Sequence, residues 1–171
     1  SFTGVELLPN VRLAWQPDPD ALIWAAVSRA VRTPSRIDRQ LANLPLLATA
    51  PEFDSEKLIA FEAGYRGQPM PGTTLSVSLF YNIYDDIRST EFTGDPLPIR
   101  LSNGWQGHSY GFEAWSSTEL LPWWRLDLGI ATLWKDFELE PGRVDLASGD
   151  SLGHDPNYQL LARSHMELTD R

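Results

Sequence analysis

The sequence has no cysteine and no long apolar run, and acidic residues exceed basic ones. The absence of cysteine excludes disulfide scaffolds, thiol nucleophiles and metal sites built on cysteine. The longest unbroken apolar run is residues 21–27, far short of the roughly 20 residues that a membrane-spanning helix needs. Lys and Arg number 14 against 23 Asp and Glu, so the formal net charge is -9 and we expect no nucleic-acid partner. A β-barrel stays possible, because its strands alternate and leave no long apolar run.

Apolar and polar residues alternate along most of the chain. In residues 74–87, for example, Leu75 and Val77 alternate with Ser76 and Ser78. A helix would mix these two sets, whereas a strand sends them to opposite faces. We therefore predict an all-β fold, an antiparallel meander of about seven long strands at residues 5–16, 21–32, 58–66, 74–87, 108–119, 124–135 and 158–168.

Short and long connections alternate between the predicted strands. The short, proline-containing turns are residues 17–20, 69–72 and 120–123, and the long connections are residues 34–56, 93–106 and 140–157. In a meander this order places all the long connections at one rim of the sheet and all the short turns at the other. Bacterial outer-membrane barrels have this asymmetry.

The period of two also predicts which side chains share a face of the sheet. The face that we name lumen-type contains Glu62, Arg66, Asn82, Arg125, Asp127, Arg163 and Glu167. The opposite, lipid-type face contains Ile59, Phe61, Leu79, Leu128, Ile130 and Leu160. A slip of one residue in register would exchange the two faces.

Aromatic residues collect near both ends of the predicted strands. Trp15, Trp24, Trp123 and Trp124 flank the short turns, and Tyr81, Trp134 and Tyr158 lie nearer the long connections. Aromatic girdles at both ends of an apolar band are typical of outer-membrane barrels. A soluble sandwich whose tryptophans cap its core is the alternative on this pattern alone.

Several segments resemble, in order, the barrel of TonB-dependent outer-membrane receptors. LPNVRLAW at residues 8–15 is followed after a turn by WAAVSRAVRTPSR at residues 24–36. SEK at 55–57 with FEAGYR at 61–66, LFYNIYDDI at 79–87 and YGFEAW at 110–115 come next. The resemblance implies a transmembrane β-barrel of the bacterial outer membrane. It also implies import of a scarce metal chelate, such as a siderophore, with energy delivered by TonB.

The resemblance covers nearly the whole chain but only part of such a receptor. The family has an N-terminal plug with a TonB box and a barrel of about 22 strands. We therefore expect residues 1–171 to form a single partial barrel segment without a plug domain, with open edges that make the isolated chain self-associate. The implied partners are a small-molecule chelate, TonB acting through the plug, and lipid or lipopolysaccharide. A porin-like barrel without TonB coupling and a soluble β-sandwich that binds carbohydrate are the alternatives.

No residue pattern indicates catalysis, a resident metal or a cofactor. Residues 149–152 spell the GDSL motif of a serine esterase family, but they follow a polar stretch inside a predicted loop. The esterase chemistry needs its serine at a strand end with a histidine and an acid held beside it. The three histidines lack metal-ligand spacing. We therefore expect a protein that is not an enzyme.

An arginine cluster is the most informative charge pattern. Arg29, Arg32, Arg36 and Arg39 either form an electropositive wall near the mouth that suits an anionic chelate, or pair with Glu52, Asp54 and Glu56 across the same hairpin. The ligand-binding candidates at the mouth and in the lumen are these four arginines together with Glu62, Arg66 and Tyr84.

Overall fold

The chain forms one antiparallel sheet, as the alternating pattern predicts. The computed structural model describes residues 4–40, 47–92 and 99–168. The strands are β1 (Asn10–Asp18), β2 (Ala21–Arg32), β3 (Glu56–Met70), β4 (Thr73–Phe92), β5 (Ile99–Leu121), β6 (Trp124–Thr132), β7 (Trp134–Leu139) and β8 (Tyr158–Met166). Their order is β1-β2-β3-β4-β5-β6-β8, and β7 pairs with β5. The all-β antiparallel meander is therefore confirmed.

The sixth predicted strand is divided into β6 and β7 at Leu133. The Thr132 side-chain oxygen accepts a hydrogen bond from the Phe112 N–H (2.9 Å) and donates one to the Phe112 carbonyl (3.2 Å). A side chain thus takes bonds that a regular ladder would make through the backbone. The Leu133 N–H instead bonds the Asn157 carbonyl at 3.0 Å. This interruption explains why the predicted seven strands are counted as eight.

Three two-residue turns join β1 to β2, β3 to β4 and β5 to β6. Each begins with a proline, namely Pro19, Pro71 and Pro122. In the second turn Gly72 has φ 73°, a conformation that favours glycine because it lacks a Cβ atom. The first turn is closed by the Asp20 N–H, which donates to Asp18 Oδ1 at 2.9 Å.

The longer connections lie together at the opposite rim, as predicted. The Leu146 N–H bonds the Thr90 carbonyl, and the Ala48 N–H bonds the Ile99 carbonyl. The predicted connection 93–106 is too long, because β5 begins at Ile99, while residues 93–98 lie outside the described residues. The connection after β2 contains a short helix, α1 (Arg36–Gln40).

Strand register confirms the predicted faces. Residues that lie opposite each other on neighbouring strands share a face of the sheet. Glu62 lies opposite Phe80, and Asp127 lies opposite Arg163. The lumen-type face therefore holds Glu62, Arg66, Asn82, Arg125, Asp127 and Arg163, whereas the lipid-type face holds Ile59, Phe61, Leu79, Leu128, Ile130 and Leu160. Glu167 follows the last residue of β8 and stays outside this register.

The sheet is a single layer with very little core. Among the described residues, the buried apolar side chains larger than glycine are Ala26, Pro34, Ala50 and Phe53. A sandwich buries the inner faces of two packed sheets, so the soluble β-sandwich alternative is wrong for this fold. On the lipid-type face, Leu79 and Leu160 are 56% and 80% exposed. Within the part of the chain that the structure describes, no helix is long and apolar enough to cross a membrane.

Candidate functional site

The lumen-type face carries a hollow close to the rim of the long connections. Its volume is about 490 Å³, within the roughly 300–1,000 Å³ of small-molecule pockets. It is surrounded by the last residues of β2, the first residues of β3, the middle of β4 and β5, β7, and the connection after β7. We name it the mouth hollow, and its principal wall residues are Arg32, Leu58, Tyr84, Leu133, Lys135 and Phe137.

Two aromatic rings form one wall of the mouth hollow. The ring centroids of Tyr84 and Phe137 are 5.3 Å apart, with the planes tilted by 59°. Gly107 permits this contact, because a Cβ atom there would lie 2.6 Å from the Phe137 ring. The Tyr84 hydroxyl lies 3.3 Å from Ser109 Oγ, which also accepts a hydrogen bond from Asn82 Nδ2 at 3.2 Å. The tyrosine is therefore fixed at both its ring and its hydroxyl.

Lys135 holds the connection between β7 and β8 against the hollow. Its ammonium group donates to the carbonyls of Leu152 (2.8 Å) and Gly153 (2.9 Å) and to Asp155 Oδ2 (2.7 Å). The hydrogen bond and the positive charge of Lys135 hold the pKa of Asp155 below its usual range. The GDSL tetrapeptide lies in this connection, around a 3₁₀ turn at Asp150–Leu152. Its position is not a strand end.

Arg32 is paired with carboxylates at the border of the hollow. It makes a bidentate contact with Glu56, at 2.5 and 2.6 Å, and lies 3.5 Å from Asp38. Arg88 approaches the same Asp38 carboxylate at 3.6 Å, and its backbone N–H bonds Glu56 at 3.0 Å. These contacts attach α1 to the end of β4 that lies at the rim of the long connections.

Asp38 is the buried centre of that charge network. Its side chain is 2% exposed, and burial alone would raise its pKa. Hydrogen bonds from Ser35 and the charges of Arg32 and Arg88 outweigh burial and hold the pKa below the usual range. The Ser35 N–H donates to Asp38 Oδ2 at 2.8 Å and the Asp38 N–H donates to Ser35 Oγ at 3.3 Å, a reciprocal cap of α1.

The structure does not bring the four candidate arginines together. Arg29 lies opposite Ile59 on the lipid-type face, where its guanidinium donates to the Leu7 carbonyl and approaches Glu6 at 3.4 Å. Arg39 donates to the Phe53 carbonyl and lies 3.8 Å from Asp54. Arg36 is exposed on α1. Pairing across the hairpin, the alternative to an electropositive wall, therefore describes Arg32 and Arg39.

Glu62 and Arg66 share the lumen-type face with the hollow but lie closer to the short turns. They are four and eight residues beyond Leu58 in β3. At about 3.3 Å per residue, these steps correspond to roughly 13 and 26 Å along the strand. Of the predicted candidates, Arg32 and Tyr84 line the hollow.

Sequence reasoning missed several residues of the hollow, among them Ser109, Lys135, Phe137 and Asp155. Lys135 belongs to the polar set of its predicted strand, and this was its only signal in the sequence. Its carbonyl partners in the loop carry no side-chain signature. Phe137 lies after the predicted strand end, and the strand interruption at Leu133 determines its position.

Two further clusters of polar side chains lie outside the hollow. On the lumen-type face near the short turns, Asp127 accepts a hydrogen bond from Ser117 at 2.6 Å and lies 3.2 Å from His165 Nε2. Here the acid contacts both partners, whereas in a catalytic triad the histidine lies between serine and acid. At the other rim, Asp85, Asp86 and Glu140 bring carboxylate oxygens within 4.8 Å of one another. Lys57 forms an ion pair with Asp86 there.

Aromatic rings form a band across the lipid-type face near the long connections. Tyr81, Tyr110, Trp134 and Tyr158 follow one another across β4, β5, β7 and β8, with centroid distances of 6.5, 5.6 and 5.7 Å. Trp124 lies on the same face, ten residues before Trp134. Ten residues span about 33 Å, or roughly 23 Å of height at a tilt of about 45°.

The separation between this band and Trp124, which stacks on Trp123, matches the apolar height of about 25 Å in outer-membrane barrels. Trp24 is an exception to the predicted girdle. It lies opposite Gly64 on the lumen-type face, and a Cβ atom at Gly64 would lie 2.6 Å from its indole ring. With its polar, hollowed inner face and its aromatic-banded outer face, the sheet is the wall of a β-barrel.

The family is shown directly by comparison. Residues 1–161 match the family model described as TonB dependent receptor-like, beta-barrel, so the chain belongs to that family. Members of the family are receptors and transporters of the Gram-negative outer membrane and are not enzymes. The prediction of a non-enzymatic protein is therefore confirmed. No curated protein sequence gives a significant match.

Solved structures confirm the fold. The siderophore receptor PirA from Acinetobacter baumannii aligns over 99% of this chain with a TM-score of 0.72 and 14% identity. The ferric yersiniabactin uptake receptor FyuA from Yersinia pestis aligns over 96% (TM-score 0.66, 19% identity), and the FrpB iron transporter from Neisseria meningitidis over 78% (0.67, 16%). The chain spans 28%, 23% and 20% of those structures, respectively.

Proposed function

We propose that this chain is part of the wall of an outer-membrane receptor that imports a siderophore-like metal chelate by TonB-coupled uptake. The observation that carries the proposal is the division of one sheet into a hollowed polar face and an apolar face banded by aromatic rings. Such a sheet can separate a lumen from lipid, which a transport wall requires. The similar solved structures include a siderophore receptor and a ferric yersiniabactin uptake receptor.

The mouth hollow supports ligand capture rather than simple passage. It lies at the rim of the long connections, which face the outside in bacterial barrels. Of the sequence candidates, Arg32 and Tyr84 are in position to contact a ligand there. Arg36, Arg39, Glu62 and Arg66 lie elsewhere on the rim or deeper in the lumen, where they would contact a ligand only in passage or a plug. A chelate, TonB through a plug, and outer-membrane lipid are the proposed partners.

The test is an uptake experiment on the intact receptor in its own bacterium. We expect the protein in the outer-membrane fraction, and we expect iron-starved cells to lose uptake of radioactive iron, supplied as ferric hydroxamate or catecholate complexes, when the receptor is deleted. Deletion of TonB should abolish the same uptake. Receptor-dependent uptake that continues without TonB would favour the porin-like alternative. A receptor-null strain with normal uptake of both kinds of complex would contradict the proposal.

A further inference from the structure

The mouth hollow has a chemical character that the arginine pattern of the sequence does not suggest. Apart from its charged residues and Ser109, the hollow is lined by aliphatic and aromatic side chains, including Leu58, Tyr84, Leu133, Phe137 and Leu152. Such a surface gains free energy by removing apolar area from water. A fully charged ligand would lose hydration there without gaining comparable contacts.

The cations at the border of the hollow are already neutralised. Arg32 is bidentate with Glu56, and Lys135 contacts Asp155 at 2.7 Å while also donating to two carbonyls. Lys57, which also lines the hollow although its register places it with Ile59, forms an ion pair with Asp86. An anion entering the hollow would have to compete with these carboxylates, and the net charge of -9 opposes it further.

The two rings add a preference for an aromatic ligand. Tyr84 and Phe137 lie at 59° to each other and are held by Ser109 and Gly107, so their geometry is fixed before a ligand arrives. Aromatic groups prefer offset or edge contacts with such rings. A rigid surface also loses less conformational entropy on binding.

We infer that the mouth hollow selects an uncharged metal chelate that carries an aromatic ring, and that it discriminates against anionic chelates. This inference rests on the proposed function, because it names the class of substrate for the same uptake. Tyr84 and Phe137 contact the ring of the ligand. The border charges are paired with one another and so supply no free counter-charge to a ligand of net charge.

Three ferric complexes of simple chelators separate charge from aromatic character. Ferric tris(benzohydroxamate) is uncharged and aromatic, ferric tris(acetohydroxamate) is uncharged without rings, and ferric tris(catecholate) is aromatic with three negative charges. Binding of each complex to the purified intact receptor is measured by equilibrium dialysis with radioactive iron. We expect the benzohydroxamate complex to bind about 10-fold more tightly than either of the others. Its affinity should not change between about 0.05 and 0.5 M NaCl.

Matched variants locate the effect. Tyr84→Ala and Phe137→Ala should each weaken binding of the benzohydroxamate complex about 5- to 10-fold. Tyr110→Ala, which removes a ring from the lipid-type face of β5, should leave it unchanged. Phe137→Leu, which keeps apolar volume but removes the ring, should give an intermediate loss. Heat-dependent gel mobility identifies any variant that has not folded.

The outcomes distinguish the inference from the proposed function. Tighter binding of the catecholate complex with a steep salt dependence would overturn the inference and leave chelate uptake intact. An equal loss of binding in Tyr110→Ala and Phe137→Ala would also overturn the inference. So would unchanged binding in both Tyr84→Ala and Phe137→Ala, which would show that another part of the receptor fills the hollow. Failure of the wild-type receptor to bind any of the three complexes would overturn the inference, whereas the loss or persistence of uptake in the receptor-null strain decides the proposed function.

Discussion

Adjacent leucines in β8 provide a matched test of the two sheet faces. Leu160 lies opposite Ile130 on the lipid-type face, and Leu161 lies opposite Gly129 on the lumen-type face. The two leucines are neighbours in the strand, so they lie at nearly the same depth in the membrane. That depth is near the middle, since Ile130 lies six residues along the ten-residue interval between Trp124 and Trp134. The same substitution at Leu160 and at Leu161 therefore meets different surroundings at almost the same distance from the two rims.

Arginine at these two positions should have very different costs. Leu160 is 80% exposed, so in a bilayer an arginine there would face hydrocarbon near the midplane. Lipid-facing arginine near the midplane costs about 2–4 kcal/mol. Leu161→Arg would face the polar lumen, where a surface substitution typically changes stability by about 0.5 kcal/mol or less. The difference in the free energy of unfolding between the two variants should therefore be about 1.5–3.5 kcal/mol.

The assay is urea unfolding of the intact receptor in lipid vesicles, followed by tryptophan fluorescence. Leu160→Ala and Leu161→Ala correct for lost side-chain contacts. Equal destabilisation by the two arginine variants, or a larger effect at Leu161, would refute the assignment of the faces. The proposed membrane wall would then lose its main support.

Four further predictions follow from individual contacts. Thr132→Val removes both hydrogen bonds to Phe112 and should destabilise the intact receptor by about 2–4 kcal/mol in the same assay, whereas Thr132→Ser, which keeps the hydroxyl, should cost about 1 kcal/mol. Because the pKa of Asp38 is lowered, the ionised carboxylate stabilises the fold above pH 3.8, its ordinary pKa, and this stabilisation is lost as the pH falls through the lower pKa of the folded state. Pepsin cleavage within residues 34–56 should therefore rise over that acid range, and Asp38→Asn should expose the same segment to trypsin at neutral pH. Lys135→Met should speed amide exchange of residues 150–155 without changing that of α1, because the lysine contacts only the former segment. The isolated chain should self-associate in plain buffer, because its edge strands β1 and β8 are exposed throughout; light scattering showing a stable 19.2 kDa monomer would contradict this.

One interruption of the alternating sequence pattern corresponds to a structural irregularity in β4. Asp85 interrupts the apolar alternation of its strand, and the register between β4 and β5 shifts between Tyr84 and Ile87, with Asp86 at φ 57°. The anomaly in the pattern therefore marks a β-bulge. The continuation of β4 and β5 beyond this bulge was not predicted, since polar residues such as Ser89 and Asn103 there resemble loop composition.

The sequence by itself determined the class of fold, the two faces, and the rims at which the connections lie. Those properties follow from a period of two and from prolines at the turns, both of which are local. Only the tertiary structure decided which polar side chains meet. Arg29 and Arg32 are three residues apart and so point to opposite faces, where different carboxylates pair with them. The mouth hollow combines β4, β5, β7 and a distant loop, and its composition depends on a strand register and a side-chain interruption at Thr132 that no local pattern specifies.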